Sequence, residues 1–327
     1  MRTNAFVASV AALFFTFSFA VFAQPAADDS AREKYVVRHV FEPGTYRLTL
    51  NTDSTETTLL EGGQQQAATI HNDFAIRITA GEAEADGEQE FSLRYERYMI
   101  DVAGVLKFDS ADPEAEGQDP NLALVGRTLL GMNIVVILDG KGEVKSMTGS
   151  DEAWDKLAGE NPGNPWIGQI KQMLGLEFYR SLLRPGKGVL PDNPVAVGEE
   201  WETSLDEKLP AIGPVEITYD CVFKRLEKRR EDGETALIEF TGGFKIPEGR
   251  EMTLANGIPA TVQSGEYAFE GATRCDAERK LIVEGMNRVR GGMKMTLSMP
   301  DGRLMPIETK QEVLSQLTLE GVENPAP

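Results

Sequence analysis

Four kinds of residue in this sequence could act on a bond or hold a ligand: histidines, cysteines, paired carboxylates and a run of methionines. The histidines are two, His39 and His71. Histidine is the commonest general base and metal ligand near neutral pH. These two lie in separate strand-like stretches, and neither has a second ligand at metal spacing. They read as ordinary strand or surface histidines. Glu199 and Glu200 beside Trp201 have the composition of a sugar site, two carboxylates and a stacking ring. Adjacent residues on a strand point to opposite faces, however, so the pair does not share a site. With 52 acidic residues such neighbours also arise by chance. The sequence has no HExxH, no G-x-S-x-G elbow, no Walker loop and no dinucleotide fingerprint. The acidic stretch "DSADPEAEGQDPN" (109–121) lacks the alternate-acid spacing and mid-loop glycine of an EF-hand and reads as a surface loop. No catalytic residue, no metal site and no cofactor is expected, and the chain is read as not an enzyme.

The cysteines are Cys221 and Cys275. Cys221 continues an apolar alternation with Val215, Ile217, Tyr219 and Phe223. A reactive thiolate needs an electropositive, partly exposed setting instead. In an oxidising compartment two cysteines suggest one disulfide. The competing reading is two buried thiols serving as small apolar side chains.

The methionines stand in "GGMKMTLSMPDG" (291–302), where Met293, Met295, Leu297 and Met299 alternate with polar or small residues. Thioether clusters can hold copper(I), but no histidine or cysteine lies close by. One buried face of a strand accounts for the spacing. The other reading is the lining of an apolar ligand pocket, because methionine adapts to irregular shapes.

The elements that must position these residues are mostly strands. Period-two alternation runs through Tyr46, Leu48 and Leu50, through Phe74, Ile76 and Ile78, and through Phe91, Leu93 and Tyr95. "NIVVIL" (133–138) is apolar on both faces, as a central strand would be. Turn signals separate such runs: "DGKG" (139–142), "EDGE" (231–234), "ANGI" (255–258) and "PDGR" (300–303). The middle differs. In "SDEAWDKLAG" Ser150 can cap a helix with Asp151 and Glu152 in its first turn. Asn164 and Pro165 then open a second helix over 165–184, with Ile170, Leu174 and Phe178 in its apolar stripe. The expected fold is mainly β, of the α+β kind: a curved antiparallel sheet or open barrel in two β-rich halves around a central helical segment. One β-rich domain is expected over 35–320, with a first half at 35–148, helices at 150–190 and a second half at 195–320, followed by a tail at 321–327.

The N-terminal run from Phe6 to Ala23 is uncharged and apolar, with Val21 and Ala23 at the −3 and −1 positions of a cut before Gln24. That is a secretory signal peptide pattern over 1–23, and a disordered linker is expected after it at 24–34. The alternative is a retained membrane anchor. The folded part is expected outside the cytoplasm, secreted or periplasmic, with no stable membrane span after cleavage. A net charge of −19 makes nucleic acid and anionic lipid surfaces poor partners. The basic stretch 223–232 runs into acids and reads as a solvated hairpin end.

Three further stretches carry a resemblance. They are the opening Phe41-x-x-Gly44-x-Tyr46-x-Leu48, the segment "LPDNPVAVGEEW" (190–201), and "GEYAFEG" (265–271) with the methionine strand after it. The chain resembles an uncharacterised family of secreted bacterial β-rich domains from planctomycete-like envelopes, over most of residues 35–320. The family carries no established activity, so the resemblance implies no catalytic residues. The architecture also resembles the lipoprotein-carrier fold, in which a curved sheet wraps helices around an apolar cavity. By that analogy Met293, Met295, Met299, Ile170, Leu174 and Phe178 would line a sheet–helix cavity. It would hold a lipid, another apolar ligand or a lipidated partner, with the 165–184 helix as plug or lid. The alternative is a structural module that binds another envelope protein by a surface or sheet edge.

Overall fold

The computed structural model describes residues 33–322 except 61, 114–115, 210–211, 229–232 and 255–257. The expected signal peptide, the linker up to 32 and the last five residues of the tail lie outside the described residues. In chain order the elements are β1 (Lys34–Tyr35), β2 (Gly44–Leu59), β3 (Gln65–Ala83), β4 (Gln89–Val102) and β5 (Leu106–Asp109). Next come α1 (Pro120–Gly131), β6 (Ile134–Leu138), β7 (Val144–Thr148), α2 (Asp151–Glu160), α3 (Pro165–Met173), α4 (Leu176–Leu183) and β8 (Val195–Ala196). The chain closes with β9 (Glu200–Leu209), β10 (Gly213–Lys228), β11 (Glu234–Ile246), β12 (Glu251–Thr253), β13 (Pro259–Asp276), β14 (Leu281–Ser298) and β15 (Leu304–Val322).

The fold is mainly β, and its strands form a large antiparallel sheet that does not close into a barrel. The hydrogen-bonded order is β7-β6-β4-β3-β2-β15-β14-β13-β11-β10-β9, with β5 on β4 and β12 on β13. Alternation sets the faces of the strands. In β10, Val215, Ile217, Tyr219, Cys221 and Phe223 are buried while the residues between them are exposed or half-buried. The contacts group the residues into two compact units of interleaved segments, where the sequence suggests one domain in two successive halves. Of the described residues, the first holds those up to His39, Asp53–Thr69 and Pro185–Ser315; the second holds Val40–Thr52, Ile70–Arg184 and those from Gln316.

In the first unit β9, β10, β11, β13 and β14 are successive antiparallel neighbours, and β1 pairs with β8. The segment before β8 is fastened to β9. Thr203 Oγ1 donates to the Gly188 carbonyl at 2.6 Å. Lys187 Nζ and Glu207 Oε1 form an ion pair at 3.4 Å, with side chains only 9 % and 2 % exposed. The disulfide considered from the sequence is not formed: Cys221 and Cys275 are free, buried thiols. The register gives the reason. Cys221 faces Phe240 of β11, whereas Cys275 faces Ala236 on the other edge of that strand. Two strand spacings of about 4.8 Å each, plus a four-residue offset along β11, put the pair well beyond disulfide reach.

In the second unit β4 runs between β3 and β6, and β7 follows on β6. "NIVVIL" is not apolar on two buried faces: Ile134, Val136 and Leu138 are buried while Val135 and Ile137 are half-buried. The acidic stretch at 109–121 ends as a helix start. Asp119 caps α1, its side chain accepting from the amides of Asn121 and Leu122, and Pro120 opens the first turn. Upstream, Arg97 holds Asp109 at 3.0 Å and Asp73 at 2.8 Å. Ser150 occupies the N-cap position of α2 but makes no capping hydrogen bond with its side chain. The single helix expected over 165–184 is two, α3 and α4. Gly175 breaks it, with extended backbone and a carbonyl that accepts the Phe178 amide at 3.0 Å. Glycine is about 1 kcal/mol worse than alanine inside a helix; α3 carries that cost at Gly168 without breaking, whereas at Gly175 the backbone turns extended.

Candidate functional site

The candidate site is the buried face of the first unit, where an apolar, aromatic surface adjoins a strip of buried polar side chains. Its apolar part rests on pairings between rings and glycines. Across β11 and β13, Gly242 faces Phe269 and Phe240 faces Gly271; across β13 and β14, Tyr267 faces Gly291. A Cβ placed on Gly242 would lie 2.6 Å from the Phe269 ring, and one on Gly271 or Gly291 would run into Phe240 or Tyr267. Each ring thus lies over the bare backbone of the strand opposite, a cross-strand arrangement that compensates for the missing side chain. The rings also meet one another: Tyr219 and Phe269 at 4.7 Å between centroids, and Phe244 and Tyr267 stacked at 5.0 Å.

β14 continues this surface. Met293, Met295 and Leu297 are buried in alternation, Met293 facing Gly265 and Met295 facing Val262. Met299 lies beyond the strand, half-buried in the β14–β15 turn, where its amide donates to the Arg303 carbonyl at 2.9 Å.

Next to the methionines the chemistry changes. Thr309, Gln311 and Ser315 of β15 are buried, and so are Ser54, Glu56 and Thr58 of β2. The Thr309 hydroxyl donates to the Met293 carbonyl at 3.4 Å, which puts the start of this strip against the methionine row. Ser54 and Glu56 are each 2 % exposed. Glu56 Oε1 accepts from the Thr58 hydroxyl at 3.4 Å. Glu56 Oε2 and Ser54 Oγ have no hydrogen-bond partner among the described residues. Burial raises the Glu56 carboxyl to about 7, against a smaller lowering by the Thr58 hydroxyl. Burial, with the Glu56 carboxylate nearby, holds the Tyr267 phenol above its ordinary range.

The other residues singled out from the sequence fall elsewhere. Ile170 and Leu174 are buried in the second unit with Phe178, whose ring lies 6.1 Å from Phe74 and 5.2 Å from Tyr179. Of the expected sheet–helix set, the methionines belong to the first unit and the helix residues to the second. That second core also holds a feature the sequence does not announce, a buried tyrosine pair with the hydroxyls of Tyr95 and Tyr179 3.0 Å apart. Cys221 approaches the Gly188 carbonyl, Cys275 approaches that of Arg38, and burial pushes both thiols up to about 12. His39 Nδ1 accepts the Ile282 amide at 3.0 Å, while His71 lies on β3 facing Asp101. Glu199 accepts the Ala196 amide at 2.8 Å in the turn before β9, Glu200 is exposed, and Trp201 faces Cys221.

Alternation alone identifies Met293 and Met295. It does not identify Glu56. "STETT" reads as a polar strand with no apolar face, and burial of that polar face depends on partners distant in sequence. The only local signal is negative: β2 carries on as a strand where its apolar alternation has ended.

No curated protein matches this chain. Among solved structures it is similar to one titled for lipid–protein interactions in lipovitellin, at 11 % identity and a TM-score of 0.42 over 88 % of this chain and 26 % of that one. The chain thus spans about a quarter of that lipovitellin chain. It is also similar to DynF from the dynemicin biosynthesis pathway of Micromonospora chersina, at 9 % identity and a TM-score of 0.18 over 95 % of this chain and 97 % of that one. An outer membrane channel from Pseudomonas putida F1 matches at 6 % identity and a TM-score of 0.18, over 86 % and 98 %. Likenesses at these values carry no function across. One family model matches, over residues 86–277.

Proposed function

Because the chain belongs to the Family of unknown function (DUF6263), whose description assigns no activity, we propose a function from the site itself. The protein is a non-enzymatic component of the cell envelope, acting outside the cytoplasm. It binds an apolar or amphipathic ligand against the buried face of its first unit. The observation that carries this reading is the junction of two surfaces. A methionine and aromatic face adjoins a strip of buried hydroxyls and one carboxyl, two of whose atoms are unpartnered. A core serving stability alone would bury apolar groups there, because an unsatisfied buried polar group costs about 1–3 kcal/mol. A ligand with an apolar body and a polar end meets both halves, and methionine tolerates bodies of irregular shape.

The test is uptake of Nile red, an uncharged apolar dye, by the purified protein and by Met295→Glu. The wild type should take up dye with a fluorescence rise. Met295→Glu should abolish uptake and lower stability, because it buries a charge in the apolar row. Met295→Leu, which conserves volume, should keep both. Absence of uptake by the wild type contradicts the reading, and so does unchanged uptake by Met295→Glu.

A second reading has its own observation. The first unit bears a concavity of about 1430 Å³ whose lining includes Trp201 and Met286, and Met286 is 51 % exposed. Such a surface suits a protein partner. Met286→Lys should weaken partner capture there and leave dye uptake unchanged.

A further inference from the structure

The unpartnered atoms of Ser54 and Glu56 bear on the kind of ligand, and this step rests on the ligand-binding reading above. Both residues are on β2, two apart, so their side chains emerge on the same face about 6.6 Å from each other. Each is 2 % exposed. Glu56 offers Oε2 as an acceptor without a donor, and Ser54 offers an oxygen that can accept or donate. Among the described residues no ion pair to Glu56 is formed; the carboxyl lies near Tyr267 and the Thr58 hydroxyl.

A carboxyl in this setting meets three kinds of ligand end differently. Above pH 7, where Glu56 is ionised, an anionic end, carboxylate or phosphate, would bring a second negative charge into a buried site, in a chain whose net charge is −19. A purely apolar end leaves Oε2 unpaired. An end that donates, a primary amine or a hydroxyl, fills the vacant acceptor, and an amine supplies the charge that a buried carboxylate lacks.

We propose that Glu56, assisted by Ser54, receives the hydrogen-bond-donating end of the ligand. The ligand class is then an apolar chain ending in an amine or a hydroxyl, with its body on the Met293–Met295 side.

The test, run at pH 8 so that Glu56 is ionised, uses three probes of one chain length, dodecylamine, 1-dodecanol and dodecanoate, each competing with Nile red below its micelle concentration. The wild type should rank them amine, alcohol, carboxylate from tightest to weakest. Glu56→Gln keeps shape and removes the charge. It should weaken the amine by about tenfold to a hundredfold, the loss expected of a charge-assisted hydrogen bond, while the alcohol changes far less. Ser54→Ala should weaken amine and alcohol alike, by a smaller factor. Equal affinity for all three probes, unchanged in Glu56→Gln, overturns the assignment and leaves the apolar site standing. Tighter binding of dodecanoate than of dodecylamine also overturns it. Failure of the wild type to take up Nile red or any of the three probes removes the apolar site and the assignment with it.

Discussion

Glu56 is a carboxyl in a place where the protein gives its charge little support. Burial raises it from 4.5 to about 7. The folded protein then binds this proton more tightly than the unfolded chain does, and the sign follows by linkage. Below about pH 4.5 the group is neutral in both states and contributes nothing. As pH rises toward 7 the unfolded state gains by ionising first, so stability falls, and above 7 the loss is complete. A shift of this size is worth about 3 kcal/mol at most. Denaturant unfolding from pH 4.5 to 8 should therefore show Glu56→Gln gaining on the wild type by up to that amount as pH rises. A constant difference between the two across the range would mean that Glu56 is not buried and unsupported. The thiols make a second prediction. Buried and pushed up to about 12, Cys221 and Cys275 should resist iodoacetamide at pH 8 in the native protein and take up two adducts in denaturant without reductant. Adducts that appear only after reduction would establish a disulfide.

Elements in this chain are held by glycines chosen for what they leave out. Gly126 of α1 has the Phe108 ring of β5 against its bare face, so a Cβ there would collide with it. Gly159 of α2 has nothing within 4 Å of such a Cβ. The same substitution should therefore act with opposite signs. Gly126→Ala should destabilise by about 1–3 kcal/mol through overpacking. Gly159→Ala should stabilise by about 0.5–1 kcal/mol through helix propensity. Thermal unfolding of the pair checks both, and a stabilised Gly126→Ala would contradict the packing of α1 on β5. At this scale the sequence was partly legible. Strict alternation gave β10 and β14, because one buried face with period two leaves a local trace. The capping signal at Asp119 and Pro120, with Leu122, Val125 and Leu129 behind it, was equally local, but its acidic lead-in masks it. The division of the second helix at Gly175 is a weak signal, since helices tolerate isolated glycines. The ring-over-glycine pairs are not readable at all, because register between strands decides which glycine a ring covers.

On the scale of the whole molecule, an antiparallel, mainly β fold follows from the spacing of strands and turns, whereas the strand order does not. The chain places β2 and β15 side by side although more than two hundred residues separate them. This long-range pairing decides the site as well. Met293 and Met295 declare themselves by alternation. Glu56 and Ser54 gain meaning only through the neighbours that bury them. That Ile170, Leu174 and Phe178 belong to one unit and the methionines to the other is likewise a property of how distant segments gather into units. If the first unit holds an apolar or amphipathic ligand on its buried face, native mass spectrometry of the protein isolated from its source cells without detergent should find it. The expected result is a reproducible added mass that organic solvent extracts, that carries an amine or hydroxyl end, and that is lost in Met295→Glu. A bare mass for the freshly isolated wild type would contradict it.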